Sequence, residues 1–143
     1  MLLCAQYIIP VTAQPLSDAA LLVRDGVIRD IGPAELLKLR YADEETVDYG
    51  MAAITPGFID LHVHLENSVM CGIVPDQPYI SWIQSVRAAG AKLDVHDWHS
   101  SAVLGTLEAL SAGVTCVCDM SNTGASCSVL RSEEHTSELQ SRI

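Results

Sequence analysis

The stretch TPGFIDLHVHLENS, residues 55–68, constrains the fold more than any other part of this sequence. A Pro-Gly pair interrupts the chain there, and the apolar residues that follow predict a strand over Phe58–Leu65. Side chains two residues apart along a strand point to the same face. We therefore expect Asp60, His62 and His64 to share one face, opposite a face made of apolar side chains.

The two histidines of this strand suggest a metal site. Two imidazoles on one face can hold one zinc-like ion at about 2.0–2.1 Å each. Because the strand fixes their separation, little ordering entropy is lost when an ion binds. The same alternation is also typical of a sandwich strand whose polar side faces solvent. The pattern alone therefore leaves two interpretations open for His62 and His64, a pair of metal ligands or two surface histidines.

The residues before this strand predict a small β-rich domain. Asp25-Gly26 lies between two apolar runs and predicts a type I′ hairpin, because both positions need a positive φ. Pro33 opens a short predicted helix that ends near Arg40. The predicted strands are Leu2–Ile9, Ala20–Arg24, Val27–Ile31 and Thr46–Tyr49. We interpret residues 1–55 as half of a small β-sandwich.

The residues after the strand predict helices and one more strand. A helix is expected over Tyr79–Ala89, and a second is expected to begin at an Asp94 N-cap, with Asp97 completing a capping box. Gly113 is expected to end the second helix, and VTCVCDM, Val114–Met120, is expected to form a buried strand. The order strand, helices, strand predicts a parallel βαβ crossover.

The composition excludes several classes of function. A net charge of −10 and a pI near 4.6 argue against sequence-independent nucleic-acid binding and against docking on an anionic membrane. The five cysteines lack a CxxC pair, so we expect reduced thiols and a cytoplasmic protein. The N-terminus has no basic segment of a signal peptide, and no run reaches the roughly 20 apolar residues of a membrane span.

Three motifs together resemble a known family. LLVRDGVIRDIGP, PGFIDLHVHLE and LEALSAGVTCVCDM occur in this order, and they resemble the N-terminal portion of the amidohydrolase superfamily. The likeness runs from Leu2 to about Ser128, and is greatest to the branch of triazine chlorohydrolases, S-adenosylhomocysteine/methylthioadenosine deaminases and aminodeoxyfutalosine deaminases. It implies an α/β chain in which half of a β-sandwich leads into the first two strands of a metal-dependent (β/α)8 barrel. By this resemblance His62 and His64 bind one divalent ion, Zn or Fe.

The resemblance also implies a reaction class. It points to hydrolysis of carbon–nitrogen bonds other than peptide bonds, with deamination of an adenine-like nucleoside or amino-heterocycle as the first expectation. Chlorohydrolases and cyclic amidases share the HxH motif and stay open as alternatives. A different class, a non-catalytic β-rich binding fragment with structural histidines, also stays open. The expected partner is a small-molecule substrate, and a homo-oligomeric parent is left open.

Three further positions are candidates near the site. Glu66 follows the histidines and is expected to contact substrate if the strand continues, the alternative being a solvated loop carboxylate. Trp82 is expected to shape a substrate pocket, the alternative being helix packing. Asp119 ends the second strand, and either a structural or a substrate-facing role is open. Cys71 stands where relatives commonly have arginine, which weakens any inference about a particular substrate.

The catalytic machinery is expected to be incomplete. A barrel of this type needs roughly 250 residues, and residues 56–130 are enough only for its start. We therefore expect no proton-shuttling residue here, and no activity from this chain alone. The last residues, 131–143, read RSEEHTSELQSRI and resemble the translation of a sequencing-library adapter, so we interpret them as not native.

Overall fold

The computed structural model describes residues 1–131, and these residues fall into two compact units. The first unit spans Met1–Pro56 and the second begins at Gly57. Apart from Arg131, the segment interpreted as not native lies outside the described residues. No helix in the described part of the chain is both long and apolar enough to cross a membrane.

The first unit is built on one five-stranded sheet. Its elements are β1 (Leu2–Ile8), β2 (Leu16–Arg24), β3 (Val27–Pro33), helix α1 (Ala34–Arg40), β4 (Thr46–Asp48) and β5 (Ala53–Ile54). The sheet order is β3-β2-β1-β4, with β5 pairing farther along β1. β1 pairs antiparallel with β2 and parallel with β4 and β5, so the first strand of the chain is the centre of the sheet.

The predicted hairpin turn of this unit is confirmed, and the predicted strands and helix are present with shifted boundaries. Asp25 and Gly26 have φ values of +54° and +70°, as a type I′ turn requires. β2 begins at Leu16, four residues earlier than expected, because its first residues pair with the end of β1. The short strand β5 was not predicted. A sandwich stays a prediction, since the residues described here form one sheet in this unit.

Apolar side chains lie on both sides of this sheet. One cluster contains Leu2, Cys4, Ala20, Leu22 and Leu37, the last of these from α1. A second cluster contains Ile8, Ala19 and Leu21, with partly buried neighbours from the same strands and from β5. Leu2 and Leu22 are almost completely buried, so the sheet has a core of its own.

The second unit carries the predicted βαβ crossover. Its elements are β6 (Phe58–Val63), a 3₁₀ helix (Leu65–Met70), α2 (Tyr79–Gly90), α3 (Val95–Ser111), β7 (Val114–Asp119) and α4 (Ala125–Leu130). β6 and β7 pair in parallel, as predicted. The carboxyl ends of both strands therefore meet at one edge, and the residues that follow them come together there. The expected burial of β7 is wrong, because none of its residues is buried among the described residues and Cys116 and Cys118 are exposed.

The ends of α3 follow the sequence signals. The Asp94 side chain accepts hydrogen bonds from the backbone N–H groups of His96 and Asp97, and the Asp97 side chain accepts one from the Asp94 N–H. Gly113 ends the helix region with a φ of +83°. Both the predicted capping box and the predicted glycine stop are confirmed.

α3 packs closely on the 3₁₀ helix at Gly105. A Cβ atom at this position would lie 2.5 Å from the Leu65 carbonyl oxygen, so only glycine permits this approach. Ala102 is fully buried beside it. The Ser101 hydroxyl donates to the Glu66 carbonyl at 2.7 Å and accepts from the Val69 N–H at 2.8 Å. These contacts fix the segment that follows the two histidines.

The predicted end of the strand that carries the histidines is wrong. The strand was expected to continue to Leu65, but β6 ends at Val63. The cause is tertiary: the Leu65 N–H donates to the Asp119 carboxylate at 2.9 Å instead of joining the sheet ladder. Leu65 and Glu66 then turn inward and are 1% and 0% exposed.

Candidate metal centre and adjoining cleft

His62 and His64 lie close together at the carboxyl end of β6. Their ring centroids are 5.2 Å apart and their planes are inclined by 84°. Both side chains are exposed. Two imidazoles that share a tetrahedral ion, each at about 2.0–2.1 Å from it, have ring centroids about 5 Å apart. The separation therefore fits two ligands of a single ion.

The hydrogen bond of His64 shows that Nδ1 carries a ring proton. Nδ1 lies 2.7 Å from the Met120 carbonyl oxygen, which can only accept. Nδ1 therefore carries the hydrogen and donates it, and in the neutral ring the lone pair is on Nε2. Metal-ligating histidines commonly donate their other ring N–H to a carbonyl or carboxylate in this way, which fixes the tautomer and the ring orientation. His64 thus has the protonation pattern of a ligand that binds through Nε2.

The pair does not form a complete site by itself. Among residues 1–131, no group of three or more His, Cys, Asp or Glu side chains is placed to hold a metal ion. Asp60 accepts the His62 backbone N–H at 3.0 Å, which engages its carboxylate locally. Protein zinc sites use three or four protein ligands. The described residues therefore offer a metal ion only these two histidines, fewer ligands than a protein zinc site uses.

Asp119 joins the ends of the two strands. One carboxylate oxygen accepts the Leu65 N–H, and the other accepts the hydroxyl of Ser126 in α4. Ser126 is fully buried. The sequence leaves a structural and a substrate-facing role open for Asp119, and these contacts support the structural role.

Glu66 has protein donors where the sequence analysis expected a substrate. Its side chain is fully buried, so the alternative of a solvated loop carboxylate is wrong. The carboxylate accepts from the Asn122 N–H at 2.5 Å, the Ser121 hydroxyl at 2.6 Å and the Thr123 hydroxyl at 2.8 Å. The Thr123 N–H adds a bond at 3.1 Å.

These donors also decide the charge of Glu66. Burial by itself raises the pKa of the carboxyl, but the hydrogen bonds from the hydroxyls of Ser121 and Thr123 and from the amides of Asn122 and Thr123 outweigh it. The pKa of Glu66 is consequently lowered from its ordinary value, and the side chain is an anion at neutral pH.

A cleft of about 600 Å³ lies beside His64. Its walls include three aromatic side chains, Tyr79, Trp82 and Trp98, of which Tyr79 and Trp82 stack with ring centroids 6.4 Å apart. Polar groups in the wall include Asn67, Arg87 and Asn122. The structure thus brings the predicted residues His64 and Trp82 to the same cleft, whereas Glu66 is not part of its lining.

Sequence reasoning missed the segment after β7. Residues 121–123 bind Glu66, and Asn122 and Thr123 also line the cleft. A signal for them is present in the sequence: the short polar run SNTG directly follows the predicted strand VTCVCDM. In parallel sheets, residues at such carboxyl ends are where binding sites form.

The comparison with protein families agrees with this arrangement. The sequence profile of the Amidohydrolase family matches residues 53–139, which is more than half of the chain. The match includes β6, the histidine pair, α3 and β7. The chain belongs to the amidohydrolase family.

Individual relatives match over most of this chain. A 5-methylthioadenosine/S-adenosylhomocysteine deaminase from Syntrophobacter fumaroxidans is 33% identical over 103 residues, which are 71% of this chain and 23% of that protein. Among solved structures, Helicobacter pylori aminofutalosine deaminase in complex with methylthio-coformycin has a TM-score of 0.76 and 22% identity, over 91% of this chain and 32% of that one. An adenosine deaminase from Xanthomonas campestris with bound zinc has a TM-score of 0.71 and 22% identity, over 91% and 31%.

These matches define the fold and the extent of the likeness. The two structural neighbours share the α/β fold of this chain. The chain spans about a quarter of the length of the curated relatives it matches.

Proposed function

We propose that the chain is the N-terminal part of a metal-dependent hydrolase that deaminates an adenine-like nucleoside or a related amino-heterocycle. The observation that carries this proposal is the histidine pair beside an aromatic cleft, with the Nδ1 hydrogen of His64 held by the Met120 carbonyl. Its support is the membership of the amidohydrolase family and the matching relatives, whose names are those of adenine-type deaminases.

His62 and His64 hold one divalent ion, Zn or Fe, in this proposal. When bound, the ion supplies Lewis-acid activation of a water molecule for attack on a ring carbon. Each imidazole can offer one ring nitrogen to the ion, and the Met120 carbonyl orients His64 so that Nε2 is the nitrogen offered. The further ligands and the proton-shuttling carboxylates come from parts of the protein beyond the described residues.

Trp82 contributes to substrate binding. Its indole lines the cleft beside His64 and is 39% exposed, so part of its surface is free for a planar heterocycle. Aromatic rings stack on such ligands with offset or edge geometry and add to simple area burial. Tyr79, stacked on Trp82, supports the orientation of the indole.

The proposal is tested on the gene product whose N-terminal part is residues 1–130. The full reading frame is expressed, and ammonia release is measured with 5′-methylthioadenosine as substrate. We expect ammonia to be released and the rate to fall by several orders of magnitude in His64→Asn. The control His96→Asn alters an exposed histidine of α3 and should retain the rate. Release of no ammonia, or equal rates in both variants, would contradict the proposal.

A further inference from the structure

We infer that Glu66 is a positioning residue, whose buried carboxylate holds residues 121–123 so that the Met120 carbonyl keeps His64 in the Nδ1–H form. The inference rests on the proposed function, in which His64 binds an ion through Nε2. It assigns Glu66 a role in preparing the ligand, without contact to the substrate. Three features of the structure carry it.

The first feature is that the Glu66 carboxylate has no capacity left for another partner. A carboxylate offers about four acceptor sites, and residues 121–123 fill them with two hydroxyls and two backbone N–H groups at 2.5–3.1 Å. The side chain is also completely buried. No Lys, Arg or His in the described part of the chain lies within salt-bridge distance of it. The buried Glu66 carboxylate therefore connects residues 121–123 to the 3₁₀ helix through hydrogen bonds from neutral donors.

The second feature is that the other end of Glu66 is fixed. Its backbone carbonyl accepts the Ser101 hydroxyl at 2.7 Å, and Ser101 in turn accepts the Val69 N–H. Leu65, the neighbouring residue, packs against Gly105 of α3. The backbone that carries the carboxylate is therefore fixed to α3, and the hydrogen bonds of the carboxylate fix residues 121–123 relative to the same helix.

The third feature is the covalent bond between residues 121–123, which Glu66 holds, and Met120, whose carbonyl accepts the hydrogen bond of His64. The Met120 carbonyl belongs to the planar peptide group that it shares with the nitrogen of Ser121. Ser121 is held by Glu66, and the Met120 N–H is held by the Val63 carbonyl at 2.8 Å. With both sides held, the carbonyl points at Nδ1 of His64, 2.7 Å away. Release of the loop frees this peptide group to rotate.

Rotation of that peptide group would change the ligand. An imidazole without the carbonyl acceptor exchanges between its two neutral tautomers, and the Nε2–H tautomer has no lone pair at Nε2. Loss of such outer partners commonly costs about 10–100-fold in metal affinity. We expect a loss in this range when Glu66 is replaced.

The test reads the tautomer of His64 directly, without metal. Long-range ¹H–¹⁵N correlation of the histidine rings is recorded on the purified chain as wild type, Glu66→Gln and Glu66→Ala. Wild type should show His64 as the Nδ1–H tautomer, and both variants should show a mixture or the Nε2–H form. Glu108→Gln and Glu108→Ala change an exposed carboxylate of α3 and should leave the His64 signals unchanged.

Two further variants keep the test decisive if the Glu66 variants do not fold. Ser121→Ala and Thr123→Val each remove one hydroxyl donor and leave the Glu66 charge in place, and each should produce a partial shift towards the Nε2–H form. A wild-type pattern at His64 in folded Glu66 or loop variants overturns the inference. Absence of the Nδ1–H form in wild type also overturns it.

The tautomer measurement separates this inference from the proposed function. If the full gene product releases no ammonia but the tautomer shift occurs, the proposed function fails and the positioning role stands. If ammonia is released but the tautomer does not respond to Glu66, only the positioning role fails. A second readout, zinc affinity by titration, is then expected to stay unchanged in Glu66→Gln instead of falling about 10–100-fold.

Discussion

The two units of the chain differ in whether they bury polar side chains as well as apolar ones. In the first unit, the fully or nearly fully buried side chains are apolar, such as Leu2, Leu22 and Ile8. In the second unit, the strands expose theirs: Ile59 and Leu61 of β6 are 65% and 75% exposed. Among residues 1–131, the buried polar side chains are Glu66, Ser101 and Ser126, and all three belong to the second unit.

The difference shows that apolar burial and directional hydrogen bonds make separate contributions to stability and to the geometry of the histidine site. Burying a leucine is worth about 1.5–3 kcal/mol but has no preferred direction. A hydrogen bond adds only about 0.5–1.5 kcal/mol net, yet it fixes distances and angles and is costly to leave unmade. The first unit thus gains stability, and the second gains the geometry that aims the Met120 carbonyl at His64.

The largest expected effect is a loss of apolar core in the first unit. Leu22→Ala removes a side chain that is 1% exposed and leaves a cavity between the sheet and α1. We expect the free energy of unfolding to fall by about 2–5 kcal/mol. Hydrogen exchange of β1 and β2 amides measures this loss. The control Leu39→Ala alters a residue of α1 that is 78% exposed and should change stability by no more than about 0.5 kcal/mol.

A smaller effect is expected from crowding the contact that supports the site. Gly105→Ala places a Cβ atom 2.5 Å from the Leu65 carbonyl, so α3 and the 3₁₀ helix must separate. Overpacking of this kind costs about 1–3 kcal/mol. Thermal melts followed by tryptophan fluorescence report on this unit, since both tryptophans lie in it. Ser100→Ala, at an exposed position of the same helix, serves as control. Equal melting of the two variants would show that the close approach is unimportant.

The smallest expected effect concerns acid and the start of α3. Backbone hydrogen bonds from Asp97 and His96 lower the pKa of the Asp94 carboxyl below 3.8. Because the pKa is lower in the folded state, this contribution to stability is fully present above pH 3.8 and is lost as the pH falls through the lowered pKa. The protection factors of the His96 and Asp97 amides, which correct the exchange rates for their intrinsic pH dependence, should therefore fall at low pH.

Asparagine is the matched control for this acid effect. Asp94→Asn retains a capping side chain that does not titrate, so the fall in protection at low pH should disappear in this variant. An identical pH profile in both proteins would mean that Asp94 does not stabilise the helix start through its charge.

Local signals in the sequence were sufficient for much of the fold. The turn at Asp25-Gly26, the capping box at Asp94 and the glycine stop at Gly113 each depend on residues within a few positions of one another. The parallel pairing of β6 and β7 follows from the order of elements. The turn, the capping box and the glycine stop are confirmed because their physical causes are short-range in sequence.

The parts that could not be predicted depend on distant contacts. β6 stops at Val63 because Asp119, far along the chain, takes the Leu65 N–H. Glu66 is buried because residues 121–123 supply its donors. Neither contact follows from a periodic pattern or from a residue propensity. The sequence therefore indicates a strand at Leu65, where the chain turns, and a substrate contact for Glu66, whose carboxylate instead binds residues 121–123.

Zinc titration of the ¹⁵N-labelled chain tests whether His62 and His64 share one ion, as we propose. We expect the ring nitrogens of both histidines to shift together and Nε2 of His64 to change most, while His96 and His99 of α3 keep their shifts. Unchanged His62 and His64 signals, with zinc bound instead by the exposed thiols of Cys116 and Cys118, would contradict it.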